Sequence, residues 1–120
     1  WGDGNVVRDF LHVGDLVDAT VRLIGYDPGP AGPRVFNVGT GQGTSLRELV
    51  TIIGSALGRQ PVVQYAPPRG LDVAANVLDS TRLREATGWR PSVTLSEGIL
   101  GMLRAWETDA ALPAGRRGKV

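Results

Sequence analysis

The chain has 120 residues, 42% of them hydrophobic, with 13 basic against 12 acidic side chains and no cysteine. That length and apolar content suit one small globular domain, and the near-balance of charge leaves no general electrostatic pull toward nucleic acid or an anionic membrane. The lack of cysteine excludes a disulfide framework, a thiolate metal site and a cysteine nucleophile within this stretch.

The basic residues are 12 arginines and Lys119, so any bound anion must be held by particular arginines. No apolar run reaches the roughly 20 residues that cross a bilayer, and no signal-peptide pattern is present; a cytoplasmic location is the default expectation. The chain opens on Trp1 with no initiator Met and reads as beginning partway through a protein.

Residues 6–13 predict a short strand or extended segment ahead of Asp15. Asp15 is expected to cap a helix over about residues 16–25, with Leu16, Ala19, Leu23 and Ile24 at helical spacing. Gly25 ends it, and Tyr26 to Pro33 is a rigid Gly/Pro loop. Arg34 to Val38 reads as a buried strand, and residues 39–44 as a turn into the next helix. Ser45 and Glu48 have capping-box spacing, and Leu46, Leu49, Val50, Ile53, Ala56 and Leu57 form the apolar stripe of a helix ending at Gly58. Pro61 to Tyr65 predicts another strand, followed by a proline-braced loop over 66–70.

Asp79 or Ser80 is expected to start a short helix through about Thr87, which Gly88-Trp89-Arg90-Pro91 breaks. Thr94 and Glu97 make a second capping box, opening a helix with Ile99, Leu103 and Trp106 on one face. After Glu107 the composition shifts to Ala, Pro, Gly and Arg, which predicts a flexible tail over 108–120.

Gly39-Thr40-Gly41-Gln42-Gly43 lies between a predicted strand and a predicted helix, where backbone amides can cradle phosphate. Its spacing fails the dinucleotide fingerprint, because position 44 is Thr and the next strand does not end in an acidic residue for a ribose. A plain turn is expected. A Tyr/Lys proton-transfer pair is absent: Lys119 has no tyrosine four residues before it, and prolines separate Tyr65 from Arg69. His12 is the only histidine, so no two-His metal site can form, and it reads as a packed or hydrogen-bonded residue beside a strand. Asp9, Asp15 and Asp18 read as turn, cap and helix-surface residues.

Two arginines remain. Arg8 follows the Gly2-Asp3-Gly4-Asn5 turn, and Arg69 follows Ala66-Pro67-Pro68 and precedes Gly70. A forked guanidinium on a braced loop suits phosphate, although chemistry alone makes a surface salt bridge the commoner role for each.

Four motifs occur together: Gly2-Asp3-Gly4 followed by Arg8-Asp9-Phe10-Leu11-His12-Val13-Gly14-Asp15-Leu16, then Phe36-Asn37-Val38-Gly39-Thr40-Gly41, then Pro68-Arg69-Gly70-Leu71-Asp72-Val73, and last Gly88-Trp89-Arg90-Pro91 with Leu95-Ser96-Glu97-Gly98-Ile99. From Gly2 to about Trp106 the chain resembles the C-terminal part of the extended short-chain dehydrogenase/reductase family, the NAD-dependent sugar-nucleotide epimerases and dehydratases typified by UDP-glucose 4-epimerase. The resemblance implies an α/β fold, the C-terminal part of an NAD(P)-binding Rossmann-like architecture. Phe36 to Gly39 would be an edge strand of its parallel sheet, and the region from about Pro61 most of a smaller substrate-binding lobe. Residues 1–107 would form the sugar-nucleotide-binding portion.

The same resemblance implies that Arg8 and Arg69 hold the substrate diphosphate, that Asp72 accepts hydrogen bonds from the nucleotide ribose, and that Trp1 packs near the base. It places no catalytic, cofactor-binding or metal-binding residue in this chain, because the family's glycine-rich loop and Tyr-x-x-x-Lys pair lie in a preceding N-terminal Rossmann portion. NAD is the implied cofactor. The implied partners are a nucleotide-diphosphate sugar and that N-terminal portion; homodimers are common in the family, and no nucleic acid or membrane is implied. Apart from the N-terminal portion, these elements are expected to expose apolar surface. A reductase or decarboxylase of another nucleotide sugar stays open as an alternative, as does a non-catalytic nucleotide-sugar-binding module.

Overall fold

A computed structural model describes residues 2–68, 70 and 72–110. Its elements follow in the order β1 (Val7–Asp9), α1 (Val13–Ile24), β2 (Gly43–Ser45), α2 (Leu46–Leu57), β3 (Ala75–Asn76), α3 (Thr81–Thr87) and α4 (Leu95–Ala110). β1 is the centre of a mixed sheet of order β2-β1-β3. It runs antiparallel to β2, with Arg8 opposite Thr44, and parallel to β3, with Arg8 opposite Asn76. Arg8 and Asp9 therefore sit where strands from three parts of the sequence meet.

α1 starts at Val13, earlier than the sequence pattern implies. His12, not Asp15, is its N-cap, and the ring Nδ1 accepts the Gly14 amide at 3.1 Å. An imidazole nitrogen here does the work that a short hydroxyl or carboxylate usually does. Asp15 is thereby left to bond far along the chain. Its carboxylate, 4% exposed, accepts from Ser92 N (3.1 Å), Ser92 Oγ (2.7 Å) and Val93 N (3.1 Å).

Trp89, Leu83 and Ala19 form the buried core, with Leu11, Leu23, Phe36 and Val38 packed around them. The Trp89 indole Nε1 donates to the Asp15 carbonyl at 3.0 Å, so the tryptophan fills the core with its polar atom satisfied. The Gly88-Trp89-Arg90-Pro91 break is thus a plug that fastens α3 to α1.

Both capping boxes form. Ser45 Oγ accepts the Glu48 amide at 3.2 Å while Glu48 Oε2 accepts the Ser45 amide at 2.7 Å. Thr94 and Glu97 repeat the exchange at the start of α4. α2 and α4 contact one another. Ser80 caps α3 by position, yet its hydroxyl is turned elsewhere, accepting from Gly39 N and donating to Gly39 O, both at 2.9 Å.

Several expectations are corrected. Residues 34–38 form no strand, and Val35 is 75% exposed; a β ladder needs a neighbouring strand, and none lies beside this segment among the described residues. Residues 61–65 pair with nothing either, and Val62 is 95% exposed. Strand instead occurs at 43–45, at the end of the expected turn, and at 75–76, for which no element was expected. α4 continues through Ala110, beyond the expected end at Glu107, so 108–110 are helical; residues 111–120 lie outside the described residues. Ile99 and Leu103 are half-buried, but Trp106 is 75% exposed. No described helix is long and apolar enough to cross a membrane.

Candidate functional site

A cleft of about 660 Å³ opens between the 2–6 turn and the segment from Tyr65 to Ala74. Backbone bonds fix its two sides: Gly2 N donates to Ala66 O at 2.8 Å, and Val7 N to Ala74 O at 2.9 Å. Val6, Tyr65, Pro68 and Ala74 give it apolar surface, while Asp3, Asn5, Arg47 and Asp72 supply polar groups. Such a mixture suits a ligand with one flat apolar part and several hydroxyl or phosphate groups. Asp3 shapes the turn, accepting the Asn5 amide at 3.0 Å on Oδ1 and the Asn5 side-chain Nδ2 at 2.6 Å on Oδ2. The backbone bond from Asn5 is the main reason its carboxyl lies below the ordinary 3.8.

The implied site residues fall into three groups. Asp72 lines the cleft. Arg8 does not line it; the half-buried side chain stands alongside, with Nη1 donating to Val7 O at 2.7 Å and to Val73 O at 2.8 Å. Arg8 thus grips the residue next to Asp72, and the structure brings these two expected residues near one another. Trp1 and Arg69 lie outside the described residues, although their chain neighbours Gly2 and Pro68 both line the cleft.

Asp9, next to Arg8, is a structural hub. Its carboxylate accepts from Thr40 N at 2.9 Å, Thr40 Oγ1, Gly41 N at 3.0 Å and Leu78 N at 3.3 Å. Burial alone would raise its pKa, but the bonds from Thr40, Gly41 and Leu78 outweigh burial and hold it below the ordinary 3.8. Asp15 follows the same balance: burial opposes ionisation, and the hydroxyl and amides of Ser92 and Val93, with His12 nearby, prevail and lower its pKa.

The Asp9 bonds also engage the glycine-rich turn. The amides of Thr40 and Gly41, which a phosphate would need, are taken by the protein's own carboxylate. A Cβ at Gly39 would stand 2.6 Å from Asp9 Oδ2 and 2.7 Å from Leu78 Cβ, so the close approach of this carboxylate requires glycine there. The plain turn expected from the spacing is what the structure contains. Among the described residues no group of three or more His, Asp or Glu could hold a metal ion.

Arg47 and Tyr65 belong to the cleft and were not singled out from the sequence as binding residues. Arg47 is the second residue of α2, where the positive end of a helix disfavours a cation. Once the capping box is recognised, that misfit is a legible sign that the side chain serves something outside its helix.

The central strand bearing Arg8-Asp9, the Gly39–Gly41 turn closed on it and the Trp89 plug together define part of an extended short-chain dehydrogenase/reductase of the nucleotide-sugar epimerase/dehydratase type. The family model for GDP-mannose 4,6 dehydratase matches residues 1–102, and the chain belongs to that family. It is 50% identical over 99 residues to a UDP-glucose 4-epimerase of Mycolicibacterium smegmatis, covering 82% of this chain and 31% of the relative. A putative GDP-L-fucose synthase 2 of Oryza sativa subsp. japonica is 38% identical over 104 residues, covering 87% and 29% respectively.

Solved structures agree. UDP-glucose 4-epimerase of Thermotoga maritima with UDP-glucose superposes with a TM-score of 0.82 at 34% identity, covering 92% of this chain and 34% of that one. The UDP-glucose 4-epimerase of Bifidobacterium longum in complex with NAD+ and UDP gives 0.77 at 31% identity, covering 90% and 32%. The chain spans about a third of the length of the relatives it matches.

Proposed function

We propose that this chain is the nucleotide-sugar-binding portion of an NAD-dependent epimerase or dehydratase. The observation that carries the reading is the convergence of Arg8 and Asp72: Arg8 bonds the Val73 carbonyl while Asp72 lines the adjoining cleft. Its support from outside the chain is membership of the family and likeness to an epimerase solved with UDP-glucose. Arg8, anchored through Nη1, would present Nε and Nη2 to a diphosphate as a rigid fork. Arg69 would share that charge, Asp72 would accept from ribose hydroxyls, and Trp1 would pack near the base. The contribution to catalysis is placement of the sugar for reaction.

The amides of Thr40 and Gly41 are not free to hold an NAD phosphate, because Asp9 occupies them. We assign the cofactor, the proton-transfer residues and any homodimer contact to the rest of the protein. The test is turnover by the complete gene product on UDP- and GDP-linked sugars, with the products identified. Epimerised or dehydrated sugar is the expected result. Reduced or decarboxylated product would support the sister activity instead, and nucleotide-sugar binding without any turnover would support the non-catalytic module.

A further inference from the structure

We propose that Arg47 is a positioning residue for the nucleoside end of the substrate, clamping the Asp3-Gly4 turn and the Tyr65 ring into a single wall of the cleft. The inference rests on the nucleotide-sugar reading above and adds to it a residue from a helix that reading does not use.

Arg47 holds the turn at two points. Its backbone amide donates to Gly4 O at 3.0 Å, and its Nε donates to Asp3 O at 2.6 Å. The guanidinium carbon lies 5.7 Å from the centre of the Tyr65 ring, within the range of a cation–π contact. One side chain therefore joins the turn to the aromatic residue beside it. Gly4 shows how close the approach is: with φ at +81°, a Cβ there would meet Arg47 Cγ at 2.9 Å and Tyr65 Cε1 at 3.5 Å. The sequence has kept both backbone freedom and space at the one position where the three residues converge.

Stability alone does not explain the arrangement. A cation in the first turn of α2 opposes the helix dipole, and Arg47 is largely exposed, where a polar contact contributes little. What the contacts do fix is geometry. Gly2 and Gly4 both have positive φ, so the turn carrying Asp3 and Asn5 has little side-chain packing of its own to set its position. Without the clamp, the bonds described for the turn are the Gly2 to Ala66 and Arg47 to Gly4 backbone bonds and those between Asp3 and Asn5 within it. The affected part of the cleft is bounded by Asn5 and Tyr65; Arg8, which bonds Val73 on the other side of β1, makes no contact with Arg47 among the bonds described. Lysine cannot substitute, having neither an Nε donor partway along the stem nor a flat face for the ring.

The experiment uses the complete gene product as wild type, Arg47→Ala and Arg47→Lys. UDP and GDP are titrated to find which binds wild type. Affinity for that nucleotide should then fall about tenfold in both variants, while competition by inorganic pyrophosphate, NAD binding and kcat stay within about twofold of wild type. Arg47→Lys keeps the charge and most of the bulk, so it gives a reading even if Arg47→Ala fails to fold. Unchanged nucleotide affinity, an equal loss for pyrophosphate, or full rescue by lysine would each overturn the proposal. Nucleotide binding in the wild type without turnover of any nucleotide sugar overturns only the enzymatic reading; binding of neither nucleotide overturns both.

Discussion

Asp9 and Arg8 are adjacent in sequence and perform opposite tasks. The arginine is proposed to face a ligand, and the aspartate faces inward to hold the backbone that supports it. Replacing Asp9 with Asn would set an NH2 against amide donors and leave at least one of them unsatisfied, so a loss of about 1–3 kcal/mol in stability is expected from denaturant melts. The pH dependence follows in sign. The carboxyls of Asp9 and Asp15 are both lowered from 3.8 in the folded protein, so their stabilising contribution is complete above that value and is lost as pH falls through the depressed values. Melting temperature should therefore drop on acidification below about pH 4, and Asp9→Asn should flatten that drop. For Arg8 the expected result is a KM for nucleotide sugar raised about tenfold or more in Arg8→Ala, with NAD affinity retained. Equal loss of both would mark Arg8 as a folding residue, a role its bond to Val73 O makes worth testing.

Among the elements, α2 carries the plainest local code. Its capping box, apolar stripe and terminal Gly58 are all within 14 residues of one another, and each was readable without knowledge of the rest of the chain. Ser45→Ala should cost about 1 kcal/mol through the lost cap, measured by denaturant unfolding. Of the strands, β1 falls within the extended segment read over 6–13, whereas β2 and β3 were not readable, for a physical reason. β1, β2 and β3 have two or three residues each, too few for an alternating pattern, and they exist because distant segments lie beside one another. Arg34 to Val38 has the composition of a strand but, among the described residues, no neighbour to pair with. The start of α1 was misplaced because His12 is an unusual cap and Asp15 a familiar one. In the candidate site, Asp72 and the Arg8 motif were legible through resemblance, whereas Arg47 needed the fold to bring α2 against the Gly2-Asn5 turn.

The whole molecule leaves one helix face uncovered. Val13, Val17, Val21 and Ile24 follow one another at helical spacing along α1 and are 57–81% exposed. An apolar stripe of this kind is unusual on a finished surface, and the relatives are about three times as long as this chain. We expect the rest of the protein to cover it. Val21→Lys in the complete gene product should then destabilise by about 1–3 kcal/mol, whereas a solvent-facing valine would tolerate lysine within about 0.5 kcal/mol. Thermal or urea unfolding of the two proteins decides between these outcomes.

The bonds to Asp9 also set a schedule for biosynthesis. Its donors lie 31, 32 and 69 residues further along the chain, and both strands that flank β1 come after it. A ribosome adds roughly 5–20 residues each second, so several seconds pass between the synthesis of Asp9 and that of Leu78. Thr40, Gly41 and β2 come roughly midway between Asp9 and Leu78, whereas β3 and the Leu78 amide come only at the end. The place where the substrate is proposed to bind thus acquires its shape only after segments well beyond Arg8 have been made.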